Sequence, residues 1–587
     1  MSTPSRIPSS RLARSRIAFH IGPERAVLYG AVLAALAYCQ DVRYDFILDD
    51  VPLILMNETI TSWHNWKRVF VTHIASVKSP VVPLAVMAVH YRPVYILWQM
   101  LNEQIFGAVL PWWHVTSLLL HVGVIFLVYQ VGLKLLKERW TAALAALLFA
   151  FHPIHVESVS YVTASTDLLV TLFALLAFLA YAQFREDGGA RGYYFASIVA
   201  ASLAMLSKET AVMFPCLLVA YEALREIPSA TPQEPGSTRR IWARFAWTLP
   251  FFAVVAAYTA LRTLLFGLNA GPGPGGNRLA ALVDIPLVLI VYLRNLFWPL
   301  RLSFFYPVEW ATQWTLVKGA AFIVVVAAAV FLWNFYRDRP GLRLQLLWAA
   351  ILFVPALLGA YTFVREDWVH DRHMYLVSVP ICFIAAALLT DRRLPRQASV
   401  VVSSVILAVL LVGTAIQVPR FKDDATIYAT ALRVAPTNVL AHNDYAWALW
   451  MYGRHEEGLR EFRIATDLSP RSAESHYAYG SALSEIGRDA EAAAEYERAL
   501  QWSPGPTPFR AFLLSEIAEI ELKNSQAGAA AAHLHEALQI APQMVNYHAM
   551  LAEALNLQGR TAEAEEQMRL EAGIRDHIVR EQRAFHE

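Results

Sequence analysis

The chain has 587 residues, of which 56% are hydrophobic, 12% aromatic and only 17% charged, with a formal net charge of +1. Soluble domains carry about 25% charged residues, so most of this chain is suited to lipid, and its near-neutral charge argues against a nucleic-acid partner. Cys39, Cys216 and Cys382 each lie inside an apolar run and supply neither a CxxC metal motif nor a disulfide framework.

Arg6, Arg11, Arg14, Arg16 and Arg25 precede the first apolar run, at 26–40. That run ends in "LAYC", which has the outline of a lipoprotein cleavage box, but Tyr38 is too large for the position before the cysteine. The reading is an uncleaved anchor with a cytoplasmic segment 1–25. Further apolar runs lie at 115–136, 141–161, 167–184, 193–206, 211–221, 245–266, 282–300, 317–335, 344–363, 374–389 and 400–416. Each is a candidate for a helix that satisfies its own backbone in lipid. Lys134, Lys137 and Arg139, then Arg185 and Arg191, then Arg239, Arg240 and Arg244, then Arg337, Arg339 and Arg343, then Arg392, Arg393 and Arg396 mark the cytoplasmic loops. The segments 41–111, 269–278 and 365–372 fall on the opposite side. Twelve full crossings give one loop the wrong parity, so about eleven are expected. The short pair around 207–209 and the run before Pro299 are the two candidates for an incomplete crossing. This predicts a multi-span membrane domain at 26–420, with a first outer loop at 41–111, and places the C-terminal domain at 421–587 outside the cytoplasm.

From 421 to 587 the composition becomes that of a soluble domain, and it repeats. Pro436, Pro470 and Pro504 are spaced by 34 residues, the period of a tetratricopeptide repeat. Gly453 and Gly487 mark the turns between paired helices. Ala465, Ala499 and Ala537 stand five residues before Pro470, Pro504 and Pro542, and Phe462, Tyr496 and Leu534 stand three residues before those alanines. An insertion at 505–508 shifts the third repeat, and a fourth follows from Val545 with Gly559 and Ala564 in place. About four such units bury their apolar faces on one another in a solenoid whose concave groove suits a peptide.

Several segments of the membrane part carry chemistry. "YDFILDDVPLILMNETI" places Asp49 and Asp50 just beyond the first apolar run, where a carboxylate suits a general base; the alternative is a solvated turn. Asn57-Glu58-Thr59 in the same loop has the form of a glycosylation sequon. In "HYRPVYILWQMLNEQIFG", Arg92 can reach a lipid phosphate or simply snorkel to the interface, with Trp98, Trp112 and Trp113 at headgroup level. "FHPIHVESVSYVTASTDLL" brings His152, His155, Glu157 and Asp167 to an outer turn. Ionisable groups at membrane depth are functional or paired. Zinc is conceivable at His152, His155 and Glu157, but their spacing matches neither HExxH nor CxxC, so no metal is assigned. "LSKETAVMFP" holds Lys208, which either neutralises a phosphate or pairs with Glu209. "VREDWVHDRHMYL" adds Arg365, Glu366, Asp367, His370, Asp371, Arg372 and Tyr375. No glycine-rich phosphate loop is present, and "GPGPGGN" from Gly271 reads as a turn.

The order "LDDVPLILMNETI", "YRPVYILWQMLN", "FHPIHVESV" followed by Asp167, "LSKE", "DRHMYL", then the repeats, resembles the transmembrane and tetratricopeptide-repeat protein O-mannosyltransferases. These are similar in membrane architecture to other GT-C glycosyltransferases that use polyprenyl-phosphate sugars. The resemblance covers nearly the whole chain and implies an all-α fold, a polytopic GT-C-like helical domain followed by a tetratricopeptide-repeat α-solenoid. It also implies a catalytic acid in the first outer loop, matched by Asp49 and Asp50, and a lumenal or periplasmic repeat domain. Thr166 departs from the pattern, because an arginine usually precedes the aspartate there. The alanine- and arginine-rich composition points to a bacterial inner membrane and to undecaprenyl phosphate as the carrier.

On this reading a mannose-like hexose passes from a polyprenyl-phosphate carrier to Ser or Thr hydroxyls of a protein held in the repeat groove. Asp50 or Asp49 takes the hydroxyl proton, and Lys208 and Arg372, with Arg92, hold the departing phosphate. His152, His155, Glu157, Asp167, Glu209, Asp371 and Tyr375 support them. Two rival readings are a non-catalytic membrane scaffold displaying the groove, and a glycan ligase or flippase-like protein.

Overall fold

The computed structural model of the chain describes residues 22–71, 90–186, 189–225, 244–267, 284–307, 315–358, 368–503 and 505–584. The arginines before Arg25, Arg239, Arg240, the segment 269–278, Arg365, Glu366, Asp367 and Pro504 lie outside the described residues. Among the described residues every regular element is helical.

The first part comprises α1 (Pro23–Ala37), α2 (Pro93–Phe106), α3 (Leu110–Leu136), α4 (Arg139–Phe151), α5 (Val156–Ser160), α6 (Ser165–Glu186), α7 (Arg191–Ser207), α8 (Phe214–Leu224), α9 (Leu249–Phe266), α10 (Ile285–Phe297), α11 (Leu316–Phe335), α12 (Pro340–Leu357), α13 (Met374–Leu389) and α14 (Arg396–Gln417). Seven of the described helices are long and apolar enough to cross a membrane, and an eighth if α4 and the bent segment Pro153–Ser160 count as one. A crossing of about 30 Å needs about 20 helical residues. α1 with 15 residues, α7 with 17 and α10 with 13 fall short of that length, so the expected total of about eleven exceeds the seven or eight crossings that length and apolarity support among the described residues.

Burial separates these helices into inner and outer ones. The segment Val162–Glu186 is 78% buried, whereas Ala246–Phe266, Leu316–Phe335 and Arg396–Phe421 are each 11% buried within the protein. A helix apolar on all sides yet bare of protein contacts has lipid as its natural surroundings. Val400, Val401, Val405, Val409, Val412 and Ile416 of α14 are all exposed in this way. In the centre, α4 packs against α1, α3, α13 and α14, and α6 against α3 and α7. The run expected as one span at 141–161 bends by 53° beyond Phe151. Pro153 opens the turn there, and the His152 ring accepts the Ile154 amide at 3.2 Å. The bend carries Glu157 and Tyr161 toward the end of the bundle where the candidate site gathers. At the edge where the arginine-rich loops collect, fully buried Glu222 binds Arg185 at 2.8 Å, Arg225 at 3.1 Å and Arg244 at 3.5 Å.

The second part begins with α15 (Asp424–Val434), capped by Asp423, whose side chain accepts the Thr426 amide at 2.8 Å. Four antiparallel pairs follow: α16 (Val439–Met451) with α17 (His455–Leu468), α18 (Ala473–Glu485) with α19 (Asp489–Trp502), α20 (Pro508–Lys523) with α21 (Ala527–Ile540), and α22 (Val545–Leu557) with α23 (Thr561–Ala584). These are the four repeats read from the period. Gly453, Gly487 and Gly559 take positive φ at the turns within their pairs, and Ser525 (φ 59°) holds the equivalent place in the third. Phe462, Ala465, Tyr496, Ala499, Leu534 and Ala537 are all buried between helices, as their spacing predicts. The solenoid does not stand apart from the bundle. Ile427, Tyr428, Ala431 and Ala435 belong to the same buried cluster as the membrane helices. Tyr428 stacks on Phe305 at 6.2 Å between ring centres, and Arg420 donates to the Leu302 carbonyl at 2.9 Å.

Candidate active site

Asp49 and Asp50 follow each other in sequence but occupy different environments. Asp50 is fully buried at the start of the short helical turn Val51–Leu55. One carboxylate oxygen accepts the Thr163 amide at 2.7 Å and the Thr163 hydroxyl, and the other accepts the Ile47 amide at 3.2 Å. Burial pushes its carboxyl up to about 7, against the lowering effect of the Thr163 hydrogen bonds. Asp49 is exposed. Its backbone amide donates to the Tyr161 hydroxyl at 3.2 Å, and its side chain forms no ion pair among the described residues. The change of direction occurs at Leu48, a non-glycine residue with φ of 53°.

The three cations expected to hold phosphate are brought together, each with its own carboxylate. Arg92, at the start of α2, makes a two-pronged contact with Glu209 at 2.9 and 2.6 Å, and His90 approaches the same carboxylate at 3.2 Å. Lys208 reaches across from the end of α7 to both oxygens of Asp167 in α6, at 2.6 and 2.7 Å. The Arg372 guanidinium meets Glu157 at 3.1 Å, and its backbone amide donates to the same carboxylate at 3.2 Å. Lys208 feels the charge of both Arg92 and Arg372, and burial pushes its ammonium down despite Asp167 beside it. Two tyrosines connect this cluster to the aspartates. The Arg372 guanidinium lies 5.8 Å from the Tyr161 ring, whose hydroxyl meets Asp49. Tyr95 lies within electrostatic reach of Asp49, Asp50 and Arg92.

Not every expected supporting residue joins this cluster. Glu157, Asp167 and Glu209 do, as the partners of the three cations. His152, His155 and Tyr375 instead enter a buried aromatic group with Phe149 and His121. There Tyr375 meets His121 at 2.7 Å, His155 meets Ser378 at 2.9 Å, and His152 contacts the Leu296 carbonyl at 2.8 Å. The conceivable zinc set therefore does not converge, and among the described residues no three His, Cys, Asp or Glu side chains are grouped to hold a metal. Asp371 is held by Asn295 at 2.8 Å and Tyr306 at 2.7 Å. Asn57 of the sequon is buried, with its amide donating to the Leu53 carbonyl at 3.1 Å, so the folded chain does not present it for glycosylation. Trp113, expected at headgroup level, is buried and donates to the Gly107 carbonyl at 2.9 Å, while Trp112 is exposed.

Tyr161, Tyr95 and His90 join the site without a signal in the sequence that singles them out. Tyr161 stands inside a segment already notable for its histidines and acids, but nothing in its spacing marks it as a bridge between Asp49 and Arg372.

Apolar helices of crossing length, a charged cluster at one end of them and a solenoid of four helix pairs define a multi-pass membrane protein carrying a tetratricopeptide-repeat domain. Residues 78–231, which include Arg92, Glu157, Asp167, Lys208 and Glu209, match a family model described as dolichyl-phosphate-mannose-protein mannosyltransferase. The protein O-mannosyl-transferase Tmtc2 of Drosophila melanogaster is 31% identical over 206 residues, 34% of this chain and 21% of that protein. The human protein O-mannosyl-transferase TMTC4 is 25% identical over 500 residues, 75% of this chain and 66% of that protein. Among solved structures, the Archaeoglobus fulgidus oligosaccharyltransferase in its apo form is similar at 15% identity, over 69% of this chain and 55% of that one, with a TM-score of 0.35. The chain spans from about a fifth to just under two thirds of the length of these two curated relatives. The resemblance read from the order of motifs thus holds at the level of sequence: the chain is similar to the transmembrane and tetratricopeptide-repeat O-mannosyltransferases.

Proposed function

We propose that the chain is an integral membrane glycosyltransferase that moves a mannose-like hexose from a polyprenyl-phosphate carrier to Ser or Thr hydroxyls of proteins outside the cytoplasm. The observation that carries this reading is the convergence of Arg92, Lys208 and Arg372 on one cluster, joined through Tyr161 to the backbone of Asp49, whose side chain is exposed. The names of the relatives point the same way. A hydroxyl is a weak nucleophile at neutral pH, and a carboxylate that takes its proton as the C–O bond forms lowers the barrier. Asp49 has the exposure for that task. Asp50 sets the loop, because it is buried and both of its oxygens already accept hydrogen bonds, from Ile47 and Thr163.

The sugar leaves as the bond from its anomeric carbon to the phosphate oxygen breaks, and the negative charge that builds on that oxygen needs cations fixed in advance. Lys208 and Arg372, with Arg92, supply them. The solenoid, with its first helix packed on the bundle, docks the acceptor polypeptide in its groove. The repeat domain is placed in the periplasm of a bacterial inner membrane, or in the endoplasmic-reticulum lumen if the chain is eukaryotic. The test supplies membranes with labelled polyprenyl-phosphate hexose. Label in protein supports the proposal, label in glycan alone favours the ligase reading, and no transfer favours the scaffold.

A further inference from the structure

We propose that Asp424, in the first turn of α15, is a positioning residue for Asp49, so that the repeat domain completes the active-site loop of the membrane domain. This inference rests on the reading of Asp49 as the base. It starts from Leu48. A leucine at φ 53° sits in left-handed backbone that L-residues with a Cβ resist, and such a residue persists only where its surroundings enforce it. Leu48 immediately precedes Asp49, so its conformation sets the direction in which the Asp49 carboxylate leaves the chain. Asp50 then turns inward to Thr163, and Asp49 remains exposed.

The enforcing contacts on the far side of Leu48 come from the other domain. The Leu48 amide donates to Asp424 Oδ1 at 2.9 Å, and the Asp45 amide donates to the Lys422 carbonyl at 3.1 Å, across a sequence separation of more than 370 residues. A backbone amide held by a carboxylate is a strong, directional hydrogen bond. Asp424 has a fixed base from which to apply it. Asp423 caps α15, and Ile427 and Ala431 on the same helix are buried with the membrane helices. The near side of the loop is fixed by Tyr161 and Thr163, which belong to the membrane domain. Leu48 is therefore clamped between the bundle and the solenoid, and the hydroxyl-activating residue sits one position beyond the clamp.

An acceptor side chain would then meet a correctly aimed Asp49 only when the repeat domain is seated. A displacement of about 1 Å at a reacting group costs on the order of a hundredfold in rate. The test is steady-state transfer by the full chain in membranes, from labelled polyprenyl-phosphate hexose to a Ser- and Thr-containing peptide. It is paired with hydrogen exchange at the Leu48 amide.

Asp424→Ala should lower kcat about tenfold to a hundredfold, leave the KM for the lipid donor nearly unchanged and speed exchange at Leu48. Asp424→Asn keeps an acceptor oxygen at the same place and should recover most of the rate, which a merely structural role for the charge would not predict. Leu48→Val should reproduce the kcat loss without touching α15, because a β-branched residue opposes positive φ, and it serves if Asp424→Ala does not fold. If Asp424→Ala and Leu48→Val both keep kcat within twofold of the unmutated chain while Asp49→Asn abolishes transfer, the positioning role is overturned and the proposed function stands. If Asp49→Asn itself transfers at the unmutated rate, the assignment of Asp49 as the base falls and takes this inference with it, while the transferase reading stands.

Discussion

The two adjacent aspartates offer a sharp test of the site, because the same isosteric change should do different things one residue apart. Asp49→Asn removes a negative charge and a basic oxygen from an exposed side chain that forms no ion pair among the described residues. Its thermal stability should not change measurably, whereas a general base replaced by an amide loses on the order of a hundredfold or more in rate. That corresponds to about 2.7 kcal/mol of transition-state stabilisation. Asp50 reverses the balance. Asp50→Ala strands three donors in a buried place, the Ile47 amide and the Thr163 amide and hydroxyl. At about 1–3 kcal/mol for each stranded buried group, the cost to stability is about 3 kcal/mol or more. Asp50→Asn keeps an acceptor for Thr163 but turns a donor toward the Ile47 amide, so a milder loss of about 1–2 kcal/mol is expected. The assay is transfer of labelled hexose to a Ser- and Thr-containing peptide, normalised to folded protein by thermal melting of the purified chain. Equal rate losses in Asp49→Asn and Asp50→Asn at equal folded amounts would refute the division of roles. Full activity in the double mutant would refute the site.

Three further outcomes are expected. Alkaline phosphatase fused after Glu587 should be active on the far side of the membrane, and activity of a cytoplasmic reporter there instead would reverse the proposed orientation. Gly480→Ala should destabilise a fragment of the repeats by about 1–3 kcal/mol, because a Cβ there would lie 2.8 Å from the Tyr496 ring and 3.2 Å from the Ala492 carbonyl; an unchanged melting temperature would mean that these helices part readily. The His442 ring contacts Glu461 at 2.7 Å and the Pro436 carbonyl at 3.0 Å, both of them acceptors, so it fills both contacts only as an imidazolium. Burial alone would push His442 down, but these hydrogen bonds and the Glu461 charge raise it. Its stabilisation is therefore complete below the free-imidazole value of about 6.5 and fades as pH rises through the higher folded value. The gap in melting temperature between the chain and His442→Gln should shrink from pH 6 to pH 8.5, and a gap that widens would contradict the assignment.

The solenoid was legible because its signal is a period. Phe462, Tyr496 and Leu534 recur at matching places, and each must be apolar for its repeat to pack on the next. The membrane helices were legible from length and apolarity, but the bend after Phe151 was not, because Pro153 is one proline among 30 and only tertiary packing decides where a span breaks. Of the candidate site, the clustered cations Arg92, Lys208 and Arg372 and the carboxylates Glu157, Asp167 and Glu209 were legible as residues, but not as pairs. Lys208 and Glu209 stand side by side and read as partners. In the structure Lys208 is extended (φ −159°, ψ 138°), a conformation that sends neighbouring side chains opposite ways, so Lys208 turns to Asp167 and Glu209 to Arg92. The left-handed Leu48 that precedes the two aspartates was equally hidden, since the side chain that holds its amide, Asp424, lies 376 residues further along the chain.

The pairing of Arg92 with Glu209, Lys208 with Asp167 and Arg372 with Glu157 bears on how such a site would be emptied after each turnover. A sugar linked to a lipid phosphate is a diester with a single negative charge. The lipid phosphate left behind is a monoester that carries close to two at neutral pH. Three uncompensated cations would hold the spent carrier more tightly than the fresh one, and the enzyme would be inhibited by its own product. On the proposed function, three carboxylates set beside those cations would repel the doubly charged monoester more than the singly charged diester, narrowing that difference, and each cation would find its partner in place as the phosphate departs.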